Sequence, residues 1–437
     1  VVLIVGASLL LFLAVLLGVQ QRRGAIKTVG KDSAPSILAA AKIASGLADM
    51  DGSVVNALML QKGESSDSIQ SYDGDRKTVS DGLVTAAQNI TYGDAERKPI
   101  LTLTYGLGSY EEEVSQARTL RERQGLGANI AYNEAYGTLE GKLFPAAKAL
   151  SDANNAVLTR TYDGVKQLSF VTGVLVGLSG LLLLAALIAT QVYLSNRMRR
   201  TLNPALLAAT VLTLVWLAYT ISGFSAAVHH LKVAREDAFG SLEALWKARA
   251  VAYDTNTDES RFLMDRRNSA QYEKDFFDKT AQLANFPGET AKDQVYARMQ
   301  QVASQGTLPP GSTGFLADEL NNITFPGEKE AATDTVSKYA AYVLADKTLR
   351  DLAASGKFKE AIAFDIGKQQ GQSDWAFSQF DDALGKTIKV NQDAFDQAVD
   401  QGFADLAGME IVAFVLAVIV AVLGVIGLRP RLREYTF

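Results

Sequence analysis

Four stretches of the chain carry no charged residue: 1–19, 167–196, 204–228 and 411–428. Between them the pattern changes. Apolar residues recur three and four apart among Ala, Asp, Glu and Lys, as in "APSILAAAKIASGLADMDGSVVNALML" and "FGSLEALWKARAVAYDTNTDESRFLM". The first pattern predicts transmembrane helices, because about 20 apolar residues cover the hydrocarbon thickness of a bilayer. The second predicts amphipathic helices with one buried face. Core helices of globular proteins rarely run so far without a charge, so the spans are not read as core. The first stretch is too long and uniform for a secretory signal, and "GVQQRRG" is a poor cleavage site. The chain begins with Val rather than Met, so further sequence is expected to precede it.

Short basic loops set the expected orientation. The loop 197–203 carries Arg197, Arg199 and Arg200, and the tail 429–437 carries Arg429, Arg431 and Arg433. Both are expected in the cytoplasm, where they would form the output surface. Segments 20–166 and 229–410 are then expected outside it. The expected protein is a multi-pass plasma-membrane protein with both termini cytoplasmic and most of the chain extracytoplasmic.

The layout of span, polar segment, span occurs twice, and the polar segments resemble each other. Asp32–Met59 lies on Asp237–Met264 without a gap, so that Asp32 meets Asp237, Ser36 meets Ser241 and Asp49 meets Asp254. Then Asn89-Ile90-Thr91 matches Asn322-Ile323-Thr324, and Thr119-Leu120-Arg121 matches Thr348-Leu349-Arg350. Three matches in the same order between the same spans indicate an internal duplication. Breakers divide each copy into four helices. Helix one is expected to follow a span, and helix four to run into the next span without a hinge. In the second copy helix four is expected from Phe358 into span four. The fold class is therefore an all-α membrane protein with four transmembrane helices and two extracytoplasmic four-helix bundles. The bundles are expected to pack side by side about an approximate twofold axis. The repeated Asn-Ile-Thr turn joins helices two and three.

Composition narrows the function. The chain of 437 residues has no Cys, two His and a net charge of -5. Disulfides and thiolate sites are excluded, and no basic field points to nucleic acid. His229 and His230 are adjacent and face different sides of a helix, so no metal site is expected. Asp49/Asp51 and Asp73/Asp75 stand two apart and do not share a helix face. No phosphate loop and no nucleophile–base set is present. No enzyme activity and no cofactor are expected. A transporter is disfavoured because no span carries an ionisable residue.

Polar residues inside helix one are the candidate ligand site: Asp49, Asp51 and Asn56, matched by Asp254, Asn256 and Arg261. Arg123, Arg266, Arg267 and Lys357 sit at the expected bundle tips, where a partner protein would dock.

Span, four-helix bundle, span resembles the sensor half of bacterial chemoreceptors and sensor kinases, without their cytoplasmic signalling modules. Two such units with short cytoplasmic ends are similar to the actinobacterial four-pass GlnX family. The residues that carry this are "KDSAPSILAAAKIASGLADMDGSVVNALML" and its degenerate copy. The resemblance implies an extracytoplasmic solute-binding protein of the glutamate/glutamine type as one partner and a cytoplasmic Ser/Thr kinase as the other. The expected function is a transmembrane signal-transducing receptor subunit. The alternatives are a direct small-molecule sensor of chemoreceptor type and a structural or accessory subunit of a larger membrane complex.

Overall fold

A computed structural model describes residues 1–60, 65–123, 127–198, 203–288 and 291–432. The described residues are helical, apart from turns and one isolated bridge between Asn285 and Thr313. Four helical runs are long and apolar enough to cross a membrane. The chain divides into two compact units.

One unit gathers 1–31, 158–235 and 396–437. It holds α1 (Val2–Lys27), the later part of α6 (Phe144–Met198), α7 (Pro204–Lys232) and α15 (Met409–Leu432). Glycines let these helices approach closely, as small residues do between membrane helices. A Cβ on Gly18 would stand 2.5 Å from the Phe224 ring, and one on Gly424 would stand 2.8 Å from Ile4. Leu178, Leu181, Phe414 and Ile411 face outward. Arg22 is buried, lies 3.9 Å over the Phe224 ring and donates to Thr172 Oγ1 at 3.2 Å. Asn203 caps α7 and also donates to the Gly427 carbonyl at 2.7 Å.

The other unit gathers 32–157 and 236–395. Its first bundle is built from α2 (Ala34–Met59), α3 (Ser66–Gln88), α4 (Asp94–Glu122) and α5 (Ala128–Thr138), which leads through a π turn at Leu139–Leu143 into α6. The second is built from α8 (Phe239–Met264), α9 (Ser269–Leu283), α10 (Lys292–Gln305), α11 (Phe315–Asn321), α12 (Glu328–Ala354), α13 (Phe358–Asp365) and α14 (Ser373–Asp405). Ile43, Leu47, Met50 and Val54 of α2 pack on Leu103, Tyr110 and Val114 of α4 and on Tyr132, Ala135 and Leu139. The same core continues to Leu263, Leu349 and Ala361 of the second bundle.

The duplication is visible in the hydrogen bonds. A π-helical turn precedes helix one in each copy, at Thr28–Ser33 and Val233–Ala238. Inside each of these turns one carbonyl receives an extra donor. Asn89 Nδ2 donates to the Asp32 carbonyl at 2.7 Å and to Ser36 Oγ at 2.8 Å. Asn322 Nδ2 donates to the Asp237 carbonyl at 3.1 Å and to Ser241 Oγ at 2.9 Å. A buried glutamate then caps the next helix in both copies, as an anion at a helix N-terminus should. Glu96 accepts from the Thr91 and Tyr92 amides, and Glu328 accepts from those of Thr324 and Phe325. The repeated turn is thus more than a helix stop. It fastens the helix two–three connection to the π turn at the root of helix one. In the first copy Ser33 and Tyr92 share a hydroxyl hydrogen bond of 2.7 Å. Ala238 and Phe325 stand at those positions in the second copy, so both hydroxyls are lost together.

The second copy departs from the expected plan in two places. Helix two is broken at Asn285–Gly288, and the connection from it to helix three contains α11. Helix four does not run unbroken from Phe358. It stops at Asp365, restarts at Ser373, and stops again at a turn over Leu406–Gly408, where Gly408 has φ 72°. A positive φ suits glycine and ends a helix. The expectation of a hinge-free helix four is therefore corrected for the second copy. In the first copy α6 carries on through Met198.

Candidate functional site at the bundle seam

Helix one of each copy packs against the other, α2 on α8. Gly52 and Thr257 are equivalent positions in the ungapped repeat, and a Cβ on Gly52 would stand 3.0 Å from Thr257 Oγ1. A residue meets its own counterpart where a twofold axis relates two copies. Beside this point Thr257 Oγ1 donates to the Ala48 carbonyl at 3.4 Å and Ser260 Oγ to Asn56 Oδ1 at 3.0 Å.

The six polar residues picked out in helix one separate into two groups. Asp51, Asp254 and Arg261 go into a buried charge network. Arg261 and Asp51 are fully buried, and Arg261 Nη2 donates across the seam to Asp51 Oδ2. Arg261 Nη1 donates to Asp254 Oδ1 at 3.1 Å and to Asp258, and Nε donates to the Tyr132 hydroxyl at 2.8 Å. Tyr132 and Tyr110 in turn donate to Asp51 at 2.8 and 2.9 Å. The guanidinium lies 4.2 Å over the Tyr136 ring. Lys279 of α9 bridges Asp254 and Asp258.

Burial works against the Arg261 charge, but Tyr132, Asp51, Asp258 and Asp254 outweigh it and hold its pKa above the ordinary arginine value. Burial pulls Asp254 upward too, yet Lys279 and Arg261 bring it below the usual carboxylate range. Asp258 stays raised, with burial the larger influence. The spacing Asp254, Asp258, Arg261 is i, i+4, i+7, which places all three on one helix face. That spacing could have revealed Asp258; nothing local could have revealed Lys279, Tyr110, Tyr132 or Tyr136. Buried charges that satisfy one another fix a register and do not reach a ligand.

The other group, Asp49, Asn56 and Asn256, lines an open groove of about 420 Å³ between α2, α8 and the start of α14. Asp381 and Asp374 of α14 complete its acidic wall, and Lys368 stands at its edge. Asp49 is raised well above the carboxylate range by burial and by Asp75, with which it shares a hydrogen bond. Asp381 is held by Arg249 at 2.5 Å. The groove therefore offers amides, hydroxyls and a carboxyl whose proton affinity burial raises, drawn from both bundles at once.

Residues 25–163 match the family model described as the actinobacterial sensor domain. No curated protein and no solved structure matches the chain. The matched stretch runs from the end of α1 through the first bundle into α6, so it takes in the π turn, Asn89, Glu96 and Asp51. The first bundle is thus similar to a sensor domain, and the second repeats its helix one and its turn. A sensor or signalling role in a membrane protein follows.

The residues expected at the tips are less uniform than the sequence implied. Arg123, Arg267 and Lys357 are exposed at helix ends. Arg266 is held 3.9 Å over the Phe358 ring and lines a cavity of the second bundle. Of the residues expected at the output surface, Arg199, Arg200 and Arg433 lie outside the described residues. Arg197 stands near the C-terminal end of α6, and Arg429 and Arg431 near that of α15.

Proposed function

We propose that the chain is a non-catalytic transmembrane receptor subunit in which the paired bundles lie outside the cytoplasm and register a signal through the α2–α8 seam. The observation that carries this reading is the seam itself. Each of its helices follows a span helix through a π turn, and the two meet at a position without a side chain, Gly52. A change in that packing has a continuous helical path toward α1 and α7. A ligand or partner can drive such a change only if it binds the two packings with different affinity.

The resemblance to the GlnX family supplies the finer reading. An amino-acid-binding protein of the glutamate/glutamine type docks at Arg123, Arg267 and Lys357, and a cytoplasmic Ser/Thr kinase reads the basic ends that carry Arg197 and Arg429. The absence of native Cys makes the test clean. Cysteines at Gly52 and Thr257 are oxidised to a disulfide in native membranes, and partners are captured by crosslinking from Lys357 and identified. The expected result is capture of a solute-binding protein whose amino acid changes the rate of disulfide formation, with the locked chain no longer altering its cytoplasmic partner. A locked chain that signals as well as the free one overturns the seam as the relay. Capture of no solute-binding protein overturns the docking partner.

A further inference from the structure

We propose that the second bundle holds a binding site for a small organic monoanion, a carboxylate with an apolar or aromatic arm. The site is a cavity of about 350 Å³ between α8, α9, α10, α12 and α13, within the size range of small-molecule pockets. Its walls combine aromatic surface with a cation that no carboxylate among the described residues holds.

Lys292 is paired with Glu273 at 3.2 Å, and Lys347 with Asp351 at 2.7 Å. Asp293 is exposed beside Lys347. Two arginines remain. Arg350 is 8% exposed; its Nε and Nη2 each lie 2.9 Å from an Asp346 carboxylate oxygen, while Nη1 has no hydrogen-bond partner and lies 3.9 Å from Glu273. A buried, unused guanidinium donor is costly unless something accepts from it. Asp346 lies outside the cavity lining and is already engaged by Arg350 and by the Tyr296 hydroxyl. Arg266 has no carboxylate partner among the described residues and is pinned over Phe358. Arg266 is therefore the lining cation left for an anion to balance. Phe262 and Phe358 flank the arginines, with Arg350 4.5 Å over the Phe262 ring. A carboxylate reaching toward Arg266 and Arg350 would lay its apolar arm on these rings. Planar guanidinium groups suit carboxylates, and their stacking on rings fixes their direction beforehand.

This inference goes beyond the seam relay and is read by direct binding, so it stands or falls separately. The probe is benzoate, titrated calorimetrically into the purified full chain, with benzyl alcohol and sodium sulfate as comparison ligands. Benzoate is expected to bind saturably, benzyl alcohol not at all, and sulfate not to compete. Arg266→Gln is expected to weaken benzoate roughly tenfold or more, the loss of one charged hydrogen bond. Arg97→Gln in the other bundle should leave it unchanged. Arg350→Lys keeps the charge and loses the fork, and should weaken binding while the chain still folds. No saturable benzoate binding, or binding that survives Arg266→Gln, overturns the site. Equal competition by sulfate overturns its organic character.

Discussion

Replacing Arg261 by Met should destabilise the paired bundles strongly near neutral pH and much less in acid. Arg261 is the one cation that reaches Asp51 in the described network, and it shares Asp254 and Asp258 with Lys279. Without it, one cation faces three carboxylates, two of them fully buried. Breaking a buried ion pair by removing one partner costs about 3–5 kcal/mol. The cost is an unpaired charge, so protonation relieves it, and each tenfold gain in proton affinity is worth about 1.4 kcal/mol. Asp258, whose carboxyl burial already raises, should rise further in the variant once the Arg261 charge that lowers it is gone. Stability is then retained below the unfolded pKa and falls as pH rises toward the folded one. The assay is thermal unfolding of the detergent-solubilised full chain, near neutral pH and at about pH 5. Pairing the variant with Asp51→Asn should recover a good part of the loss, because it removes the stranded charge. A variant as stable as the wild type near neutral pH, or a deficit equal at both pH values, would refute the argument.

Three further outcomes are expected. Asn89→Ala and Asn322→Ala should each cost about 1–3 kcal/mol, since each removes two hydrogen bonds that fasten the turn to the root of helix one, with unfolding midpoints as the measure; a loss confined to one copy would contradict the equivalence of the turns. Burial raises Asp365 to about 8, with the Ser260 hydroxyl 2.8 Å away working the other way, so its contribution runs against stability as pH rises from the unfolded carboxylate value to about 8; Asp365→Asn should flatten the stability–pH curve over that window, and an unchanged curve would discount it. Cysteine at Ser66 or Ser355 should react with an impermeant thiol reagent added outside the cell, and cysteine at Ser195 should not; the reverse would invert the topology.

The spans and the repeat are legible because each rests on local pattern. An uncharged run needs no partner to be recognised, and an ungapped match preserves even the π turns ahead of α2 and α8. The Asn-Ile-Thr turn is legible as a repeat but not as a clasp, since the carbonyls it reaches lie far back in the chain. Helix breaks in the second copy leave weaker marks. Pro287-Gly288 and Gly367 to Gly371 stand near two of them, while the turn at Leu406–Gly408 sits inside a helix-like pattern that meets an apolar span. The polar residues of helix one stand out in the sequence, but their division does not. Whether Asp49 or Asp51 faces the groove depends on where α4, α5 and α14 lie, and no short-range pattern encodes that. Arg266 reads as a free tip charge in the sequence because the ring beneath it, Phe358, is remote along the chain.

The two copies also differ in how rigidly helix four leads on toward its span, and this bears on any relay. In the first copy α6 is unbroken from Phe144 to Met198. In the second, the turn at Leu406–Gly408 separates α14 from α15; short backbone bonds close it, from the Leu406 amide to the Phe403 carbonyl at 3.3 Å and from the Ala407 amide to the Ala404 carbonyl at 3.0 Å, and side chains clasp its flanks. Asp405 pairs with His230 at 2.6 Å, and Glu410 pairs with Arg23 at 3.1 Å. Arg23 also donates to the Leu406 carbonyl at 3.4 Å. Half-exposed pairs of this kind are worth about 0–1 kcal/mol each, far less than a helical turn. A relay through this chain is therefore expected to be unequal. The first copy leads on through an unbroken helix, and the second through one interrupted at Leu406–Gly408, whose flanks are clasped by Arg23 and His230. Gly408→Ala would strain the joint's positive φ and disturb α14–α15 without touching the seam. Its unfolding midpoint should fall, while disulfide formation between cysteines placed at Gly52 and Thr257 should keep its rate. A slowed or quickened seam disulfide in the Gly408→Ala chain would contradict this separation of joint from seam.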